Sequence, residues 1–376
     1  MTEEIVHQRL SASDVQKLMT NPSAENRAEA TGKIAGQFSE GGLSDNEREI
    51  AEDIFRALLK DTEVLVRESL SAHLKKSPDL PHDVAMALAK DVDSVSLPVI
   101  KFSEVLTDDD LLHIVRERSP VHQVAVAQRP RVSAVVADAL IDTGNETAVA
   151  RLVSNEGAEL TEKALGRVVT EYEDSASVND SLSRRTGLPA AISEQLIEAV
   201  THKLQDYLSA KQELTADMAS NLILQARERA TMTVVQFGST EAELDKLVKQ
   251  LHNKRRLTPS LLLRAISVGD IAFFERALAV LSGLEIQNAR ILIHDQGRLG
   301  LESLYKKAGL PKRWYPVFRA GVDLTEETEY DGGPNDRERF VGKMLERMLT
   351  QFEDPAETFN HEDINYLMGK LEQVAA

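Results

Sequence analysis

The chain has 376 residues, 42% of them hydrophobic and only 5% aromatic, and it lacks cysteine, which excludes a disulfide framework and thiolate zinc sites. Its net charge of −17, from 44 basic and 61 acidic residues, opposes binding to nucleic acid, whose backbone is also anionic. No apolar stretch approaches the roughly 18 residues of a membrane-spanning helix, and the acidic start lacks a leader pattern. We therefore expect a cytoplasmic protein without nucleic-acid or membrane partners.

Residues 1–77 are predicted to form two long helix pairs. Gly41-Gly42 separates the two pairs, because consecutive glycines break helices. The second pair ends in the segment Asp61–Leu70, in which an aspartate is followed by a valine and an arginine within one apolar stretch.

A ten-residue pattern recurs beyond this region and predicts short amphipathic helices. Each copy has an apolar residue, then Ser, Thr or Pro, and then apolar pairs four/five and eight/nine positions after the first residue. Ser, Thr and Pro are typical of helix N-termini, and the apolar pairs fall on one side of a helix. Clear copies begin at Leu80, Val132, Leu160, Leu214 and Leu257, and weaker ones at Leu10, Leu106, Leu188, Leu284 and Leu310.

The spacing of the copies predicts a repeat protein. From residue 80 to residue 214 the copies begin 26–28 residues apart, which is room for two short helices and their connections. We expect this array over residues 78–256, with an extra or longer helix between Leu214 and Leu257. The repeats resume over residues 257–322.

The last part of the chain changes character. Residues 323–338 are acidic and rich in helix breakers, so they are expected to form an exposed loop or linker. Residues 339–376 are predicted to be helical and to cap the array, because a terminal repeat has to cover its outer apolar face.

The segment Asp61–Leu70 and the copies from Leu80-Pro81 to Leu188-Pro189 resemble the HEAT-like superfamily. The layout of the whole chain is similar to that of an uncharacterised alphaproteobacterial family described only as a domain of unknown function. The resemblance implies an all-α fold, namely a right-handed α-solenoid of short HEAT-like helix pairs with a C-terminal helical cap. HEAT-like proteins mostly bind other macromolecules through extended surfaces, whereas the uncharacterised family brings no known activity or catalytic residues.

The repeat pattern also predicts which side chains are buried. Leu140 and Leu222 occupy equivalent positions in two copies, and both are expected to lie between stacked helices. The segment Lys312–Arg319 is the one dense mixture of aromatic and basic residues. Its Trp314, Tyr315 and Phe318 fall on core-facing positions of the copy at Leu310, so packing is favoured over an interaction site.

Motifs of catalysis are missing from the sequence. There is no Gly-x-Ser-x-Gly, no phosphate-binding glycine loop, and no His-x-x-x-His pair among the nine histidines. We therefore expect no enzyme, no metal and no cofactor, but a scaffold or adaptor that binds a protein partner. The alternative is a regulatory sensor that binds a small anionic ligand, such as a cyclic dinucleotide.

Basic residues recur just before copies of the pattern and are the candidate binding residues. One interpretation is that they lie at helix C-termini, where cations complement the helix dipole. The other is a cationic stripe that holds an acidic peptide or a phosphate-bearing ligand. Lys76 precedes one copy in this way, and the candidates for the stripe are Arg129, Arg184, Arg185, Lys211, Arg255 and Arg256.

Overall fold

The described part of the chain is built from α-helices. The computed structural model describes residues 12–41, 43–211, 216–236, 240–295, 297, 299–327 and 336–351. These residues form 21 α-helices and one short 3-10 turn. They contain no β-strand, and Val132 and Ala158 form an isolated bridge. The prediction of an all-α protein is therefore confirmed.

The helices divide into two units, Met1–Gly187 and Leu188–Ala376. The boundary between the units lies within residues 78–256, where the sequence predicts one array. The described helices of unit 1 are α1 Ala12–Thr20, α2 Ala24–Glu40, α3 Asp45–Leu58, α4 Val64–Leu74, α5 His82–Ala89, α6 Asp93–Phe102, α7 Asp108–Glu117, α8 Pro120–Ala127, α9 Ala134–Asp142, α10 Glu146–Val153, α11 Glu162–Glu171 and α12 Ala176–Arg184. Gly41, with a φ of 77°, ends α2 as the sequence predicts.

The short helices of unit 1 begin where the pattern predicts. Thr107, Ser133 and Thr161 precede α7, α9 and α11, and each hydroxyl accepts a hydrogen bond from the backbone amide three residues further on. The apolar pairs of each copy then face the interior, and Leu140 is fully buried as expected. Burial of such a side chain contributes about 1.5–3 kcal/mol relative to exposure, so the pattern determines both the start and the orientation of these helices.

The helices of unit 1 pack in two rows. In the even row, α2, α4, α6, α8, α10 and α12 pack against one another in this order. In the odd row, α7 packs against α9, and α9 against α11. Buried polar contacts join neighbours in the even row: the Ser71 hydroxyl donates to the Val95 carbonyl at 2.6 Å, and the Ser96 hydroxyl lies 3.0 Å from Nε2 of His122. Arg67 in the first turn of α4 binds the carboxylate of Asp91 just before α6, and Arg118 just before α8 donates to the carbonyl of Asp91, so the starts of α4, α6 and α8 lie at the same end of the even row.

Unit 2 opens with two long helices in place of short pairs. Its described helices are α13 Ala190–Lys211, α14 Ala216–Gln236, α15 Glu241–Asn253, α16 Pro259–Ser267, α17 Ile271–Ser282, α18 Ile286–Ile293, α19 Leu299–Lys307, α20 Tyr315–Glu327 and α21 Asp336–Gln351, with the 3-10 turn Lys312–Trp314 before α20. The long α14, followed by α15, fills the gap between Leu214 and Leu257, where the sequence predicts an extra or longer helix.

The expected burial of Leu222 is wrong. The side chain is 52% exposed, and Met218 one turn earlier is 60% exposed, whereas Ala219 and Ile223 are buried. The reason is that α14 packs along α13 through a narrow stripe, so the adjoining side of α14 is open to solvent. The pattern marks a wider apolar face than this helix pair covers.

Aromatic residues form part of the core of unit 2. The rings of Phe274 and Phe318 stack with centroids 5.4 Å apart, and Trp314 is 7% exposed. The core-facing positions predicted for Trp314 and Phe318 are therefore confirmed. Gly321 on α20 lies against Ile266 on α16, where a Cβ would be 2.3 Å from Cγ1 of the isoleucine. The glycine thus permits the close approach of these two helices.

Helix α20 extends further into the acidic stretch than the sequence predicts. Residues 323–327, expected in a loop, form the last turn of α20, because buried Leu324 continues its apolar face. Residues 328–335 lie outside the described residues. Helix α21 begins at Asp336 and agrees with the predicted helix after residue 339, while the predicted helical segment beyond Gln351 lies outside the described residues.

Candidate functional site

Arg129 lies buried at the C-terminal end of α6. Its Nη1 donates to the carbonyl of Ile100, and its Nη2 donates to the carbonyl of Ser103 at 2.7 Å. The side chain is only 7% exposed, and burial lowers the pKa of its guanidinium from the ordinary value. Arg129 therefore satisfies carbonyls that a short helix leaves without partners.

Arg185 plays the same part for α10, whereas Arg184 does not. Nη1 of Arg185 donates to the carbonyls of Val153 and Asn155, both at 2.8 Å. Arg184 is 77% exposed and forms an ion pair with Asp180 one turn earlier on α12. Adjacent arginines thus have different surroundings, one bound to a neighbouring helix end and one in solvent.

The remaining candidates of the stripe belong to unit 2. Lys211 is the last residue of α13, and its side chain lies outside the described residues. Arg255 is exposed and has a φ of 55°, which is the left-handed conformation that ends α15. Arg256 is buried, and its guanidinium pairs with the fully buried Glu194. Burial raises the pKa of Glu194 even though this cation is beside it.

The six candidates do not form one described surface. Three lie in each unit, and both Nη atoms of Arg129 and of Arg185 donate to backbone carbonyls. These two arginines therefore fit the helix-end interpretation. The binding role of the stripe stays a prediction.

Three lysines meet instead around one aromatic ring in unit 1. The Nζ atoms of Lys75, Lys76 and Lys101 lie 5.5, 5.4 and 5.3 Å from the centroid of the Phe102 ring. We call these four residues the lysine cluster. It occupies the C-terminal ends of α4 and α6, beside the carbonyls that Arg129 binds.

The sequence contains a signal for this cluster that the stripe prediction did not use. Lys75 and Lys101 are 26 residues apart, one repeat, as are Ser103 and Arg129. The stripe consists of basic residues one to four positions before a copy, such as Lys76 and Arg129, whereas Lys101 lies five positions before Leu106. The partnership with Phe102 could not be read from spacing, because it depends on how α4 and α6 pack.

A second feature lies at the opposite end of the same helices. Four apolar side chains at or beside the starts of α4, α6 and α8 are exposed, and we call them the helix-start row. Their exposed fractions are 36% for Val64, 45% for Leu65, 47% for Val92 and 49% for Val121. The contacts of Arg67 and Arg118 with Asp91 keep these helix starts side by side.

The described surface also has two clefts lined by paired charges. In unit 1, a cleft of about 520 Å³ contains Arg167, which binds Asp142 at 2.6 Å and Glu171 at 2.8 Å. In unit 2, a cleft of about 430 Å³ contains Arg276, which binds Asp245 at 2.8 Å. Both arginines are held by carboxylates, so neither of them is free to bind a ligand.

The fold gives the structural class of the protein, and the sequence gives its family. The protein is an all-helical protein of two units; among the residues described, no helix has the length and apolar character to cross a membrane, and no group of three or more histidine and carboxylate side chains could hold a metal. Residues 95–357 match the family model described as an uncharacterised protein conserved in bacteria (DUF2336). The match spans more than two thirds of the chain, and the chain belongs to this family. No curated protein and no solved structure matches it.

Proposed function

We propose that this protein is a non-enzymatic scaffold or adaptor that binds a protein partner through a helical-repeat surface of unit 1. The even row supports the proposal, because each of its helices packs against the next one of the row. Packing between neighbours is the principle of repeat proteins, which use their extended surfaces for binding. We propose that the two rows form a right-handed HEAT-like α-solenoid.

The observation that carries the proposal is the helix-start row. Val64, Leu65, Val92 and Val121 are each 36–49% exposed although they are apolar. They follow one another along three packed helices, and helices in contact lie about 8–10 Å apart. Single exposed apolar residues need no explanation, but exposed apolar residues grouped at one end of neighbouring helices favour a protein-binding surface. The partner that fits is a protein segment with apolar anchors at a similar spacing.

Polar contacts hold the helix-start row in place before a partner arrives. The Arg67 guanidinium binds both carboxylate oxygens of Asp91 at 2.6 and 3.0 Å, and both side chains are at least five-sixths buried. Arg118 donates to the carbonyl of the same aspartate at 2.8 Å. These contacts connect α4 and the segment before α8 to Asp91, two residues before α6. An ordered surface loses less conformational entropy on binding, so this arrangement favours recognition.

The alternative function is a sensor that binds a small anionic ligand, such as a cyclic dinucleotide, on the basic stripe. Arg129 and Arg185 provide little support for it, because both Nη atoms of each are already bound to carbonyls. The lysine cluster is a stronger basis for this alternative than these two arginines are. The proposed absence of catalysis and the proposed cytoplasmic location do not depend on this choice.

The test uses two substitutions in the helix-start row and a matched control. In the test variant, Val92→Asp and Val121→Asp place charges in the row without changing a buried side chain. The control is Val135→Asp, because Val135 is 59% exposed and lies at the start of α9 in the odd row. Both variants should keep the helical circular dichroism and the thermal midpoint of the wild type, since surface substitutions change stability by about 0.5 kcal/mol or less.

The readout is crosslinked capture from the native bacterium, with each captured protein identified by mass spectrometry. We expect proteins that the wild type and the Val135→Asp control both capture and that the double variant loses. A purified candidate should then bind with at least tenfold lower affinity to the double variant, because an apolar contact is replaced by an unpaired buried charge. Equal capture by all three proteins would contradict the proposal.

A further inference from the structure

The lysine cluster brings three ammonium groups together around one aromatic ring. The three Nζ atoms each lie within 5.5 Å of the centroid of Phe102, so any two of them are at most 11.0 Å apart. Within the described residues, none of these lysines forms an ion pair. The ring attracts the ammonium groups through its negative faces, but its effect on three cations is weak compared with that of an anion. This is unusual surface chemistry for a chain with a net charge of −17.

The ordinary explanation for basic residues at a helix C-terminus does not account for Lys101. Such residues complement the helix dipole and the free carbonyls. At the end of α6, Arg129 already binds the carbonyls of Ile100 and Ser103. The ammonium of Lys101 donates instead to the side-chain oxygen of Gln128 at 3.0 Å. Its charge is therefore available beside Phe102.

We propose that the lysine cluster binds a phosphate group. A phosphate dianion has three oxygens that accept charge-assisted hydrogen bonds, and three ammonium groups with rotatable donors can surround it. The group belongs either to a free nucleotide or to a phosphorylated side chain of another protein, and both sources present the same chemistry. The inference is independent of the proposed function, because the cluster and the helix-start row lie at opposite ends of α4 and α6.

The first experiment measures how fast each lysine reacts with an acylating reagent, with and without inorganic phosphate at constant ionic strength. Mass spectrometry gives the rate for each site separately. Phosphate should slow acylation of Lys75, Lys76 and Lys101 in a saturable manner. Rates at the exposed lysines 60, 90 and 163 of the same unit should not change, and they are the internal control.

The second experiment compares two variants with the same change in net charge. The test variant replaces the three lysines of the cluster by glutamine, and the control variant carries Lys60→Gln, Lys90→Gln and Lys163→Gln. Affinity for the phosphate-bearing probe that the wild type binds most tightly should fall on the order of tenfold or more in the test variant. It should remain unchanged in the control. Phe102→Leu should weaken binding less than loss of the lysines does, because it retains all three charges.

A set of probes distinguishes a free nucleotide from a phosphorylated protein as the source of the phosphate group. The probes are a cyclic dinucleotide, a nucleoside triphosphate and a phosphoserine peptide with its unphosphorylated counterpart. Preference for a nucleotide identifies a small-molecule ligand, whereas binding of the phosphorylated peptide alone identifies a modified protein. The proposal is overturned if no probe slows acylation at the cluster, or if both triple variants lose affinity equally. Circular dichroism of each variant verifies that it is folded.

Discussion

Nη2 of Arg118 lies 3.1 Å from Nε2 of His122, and this contact determines the tautomer of the histidine. A guanidinium can only donate, so Nε2 accepts and the proton is on Nδ1. Nδ1 in turn lies 2.8 Å from the Ser119 hydroxyl, which can accept that proton. The ring is 2% exposed, and its Nε2 also lies near the Ser96 hydroxyl between α6 and α8. The contact therefore requires a neutral imidazole inside the even row.

The first prediction is that His122 makes stability depend on pH. Burial, and then the charge of Arg118, lower the pKa of His122 below its ordinary value of 6.5, although Asp93 acts in the opposite direction. The unfolded chain therefore binds a proton at a pH where the folded chain does not. The stabilising contribution is present above pH 6.5 and is lost as pH falls from 6.5 through the lowered pKa.

Urea unfolding of the wild type and of His122→Gln between pH 5 and 8 checks this prediction. The difference in the free energy of unfolding between the two proteins should become smaller as the solution is acidified. Subtraction removes the contribution of the other titrating groups, because both proteins share them. A constant difference across this range would mean that His122 does not titrate differently in the two states.

The second prediction concerns Arg129. Its replacement by Ala should lower the free energy of unfolding by about 1–3 kcal/mol, because the carbonyls of Ile100 and Ser103 lose their donor. Arg184→Ala is the matched control, since Arg184 is exposed and binds only Asp180 among the described residues. The control should leave stability unchanged. Denaturant titration of both variants provides the comparison, and equal stabilities would exclude the helix-end role.

The third prediction compares two leucines that the repeat pattern treats as equivalent. Leu140→Ala should cost about 2–5 kcal/mol, because the side chain is fully buried between helices. Leu222→Ala should cost about 0.5 kcal/mol or less, because half of its side chain is already in solvent. Chemical unfolding followed by circular dichroism measures both changes. A large loss at Leu222 would indicate that another surface covers α14 in solution.

The fourth prediction concerns two glycines inside helices. Gly321→Ala should destabilise unit 2 by about 1–3 kcal/mol, because the added methyl group would lie 2.3 Å from Cγ1 of Ile266. Gly342→Ala on α21 should instead stabilise by about 0.5–1 kcal/mol, since no described atom lies within 4 Å of the new Cβ. Opposite shifts in the thermal midpoint are expected. Shifts of the same sign would contradict the close packing of α16 and α20.

The sequence predicts the short helices well because their signals are local. Ser133 and Thr161 begin helices through hydrogen bonds to amides three residues away, and the apolar pairs follow within two turns. The copy that begins at Leu214 has the same apolar pairs, but they belong to a 21-residue helix, α14. Whether Leu222 is buried depends on which helix packs beside α14. A pattern within one segment does not contain that information.

The candidate site was less predictable for a related reason. Arg129 and Arg185 have the spacing of the repeat, so their place at helix ends could be anticipated from sequence. Their engagement by carbonyls of the preceding repeat depends on three-dimensional packing. The same is true of Lys76 and Phe102, which are 26 residues apart and meet because α4 packs against α6.

The length of α4 determines the distance between the helix-start row and the lysine cluster. The helix has 11 residues, which at about 1.5 Å per residue is about 16 Å. An extended peptide covers this distance with about five residues, at roughly 3.3 Å each. A single partner that engages both ends would therefore carry its phosphate group and its first apolar anchor about five residues apart. Such a bipartite segment would bind far more tightly than either half, because the second contact forms at high effective concentration.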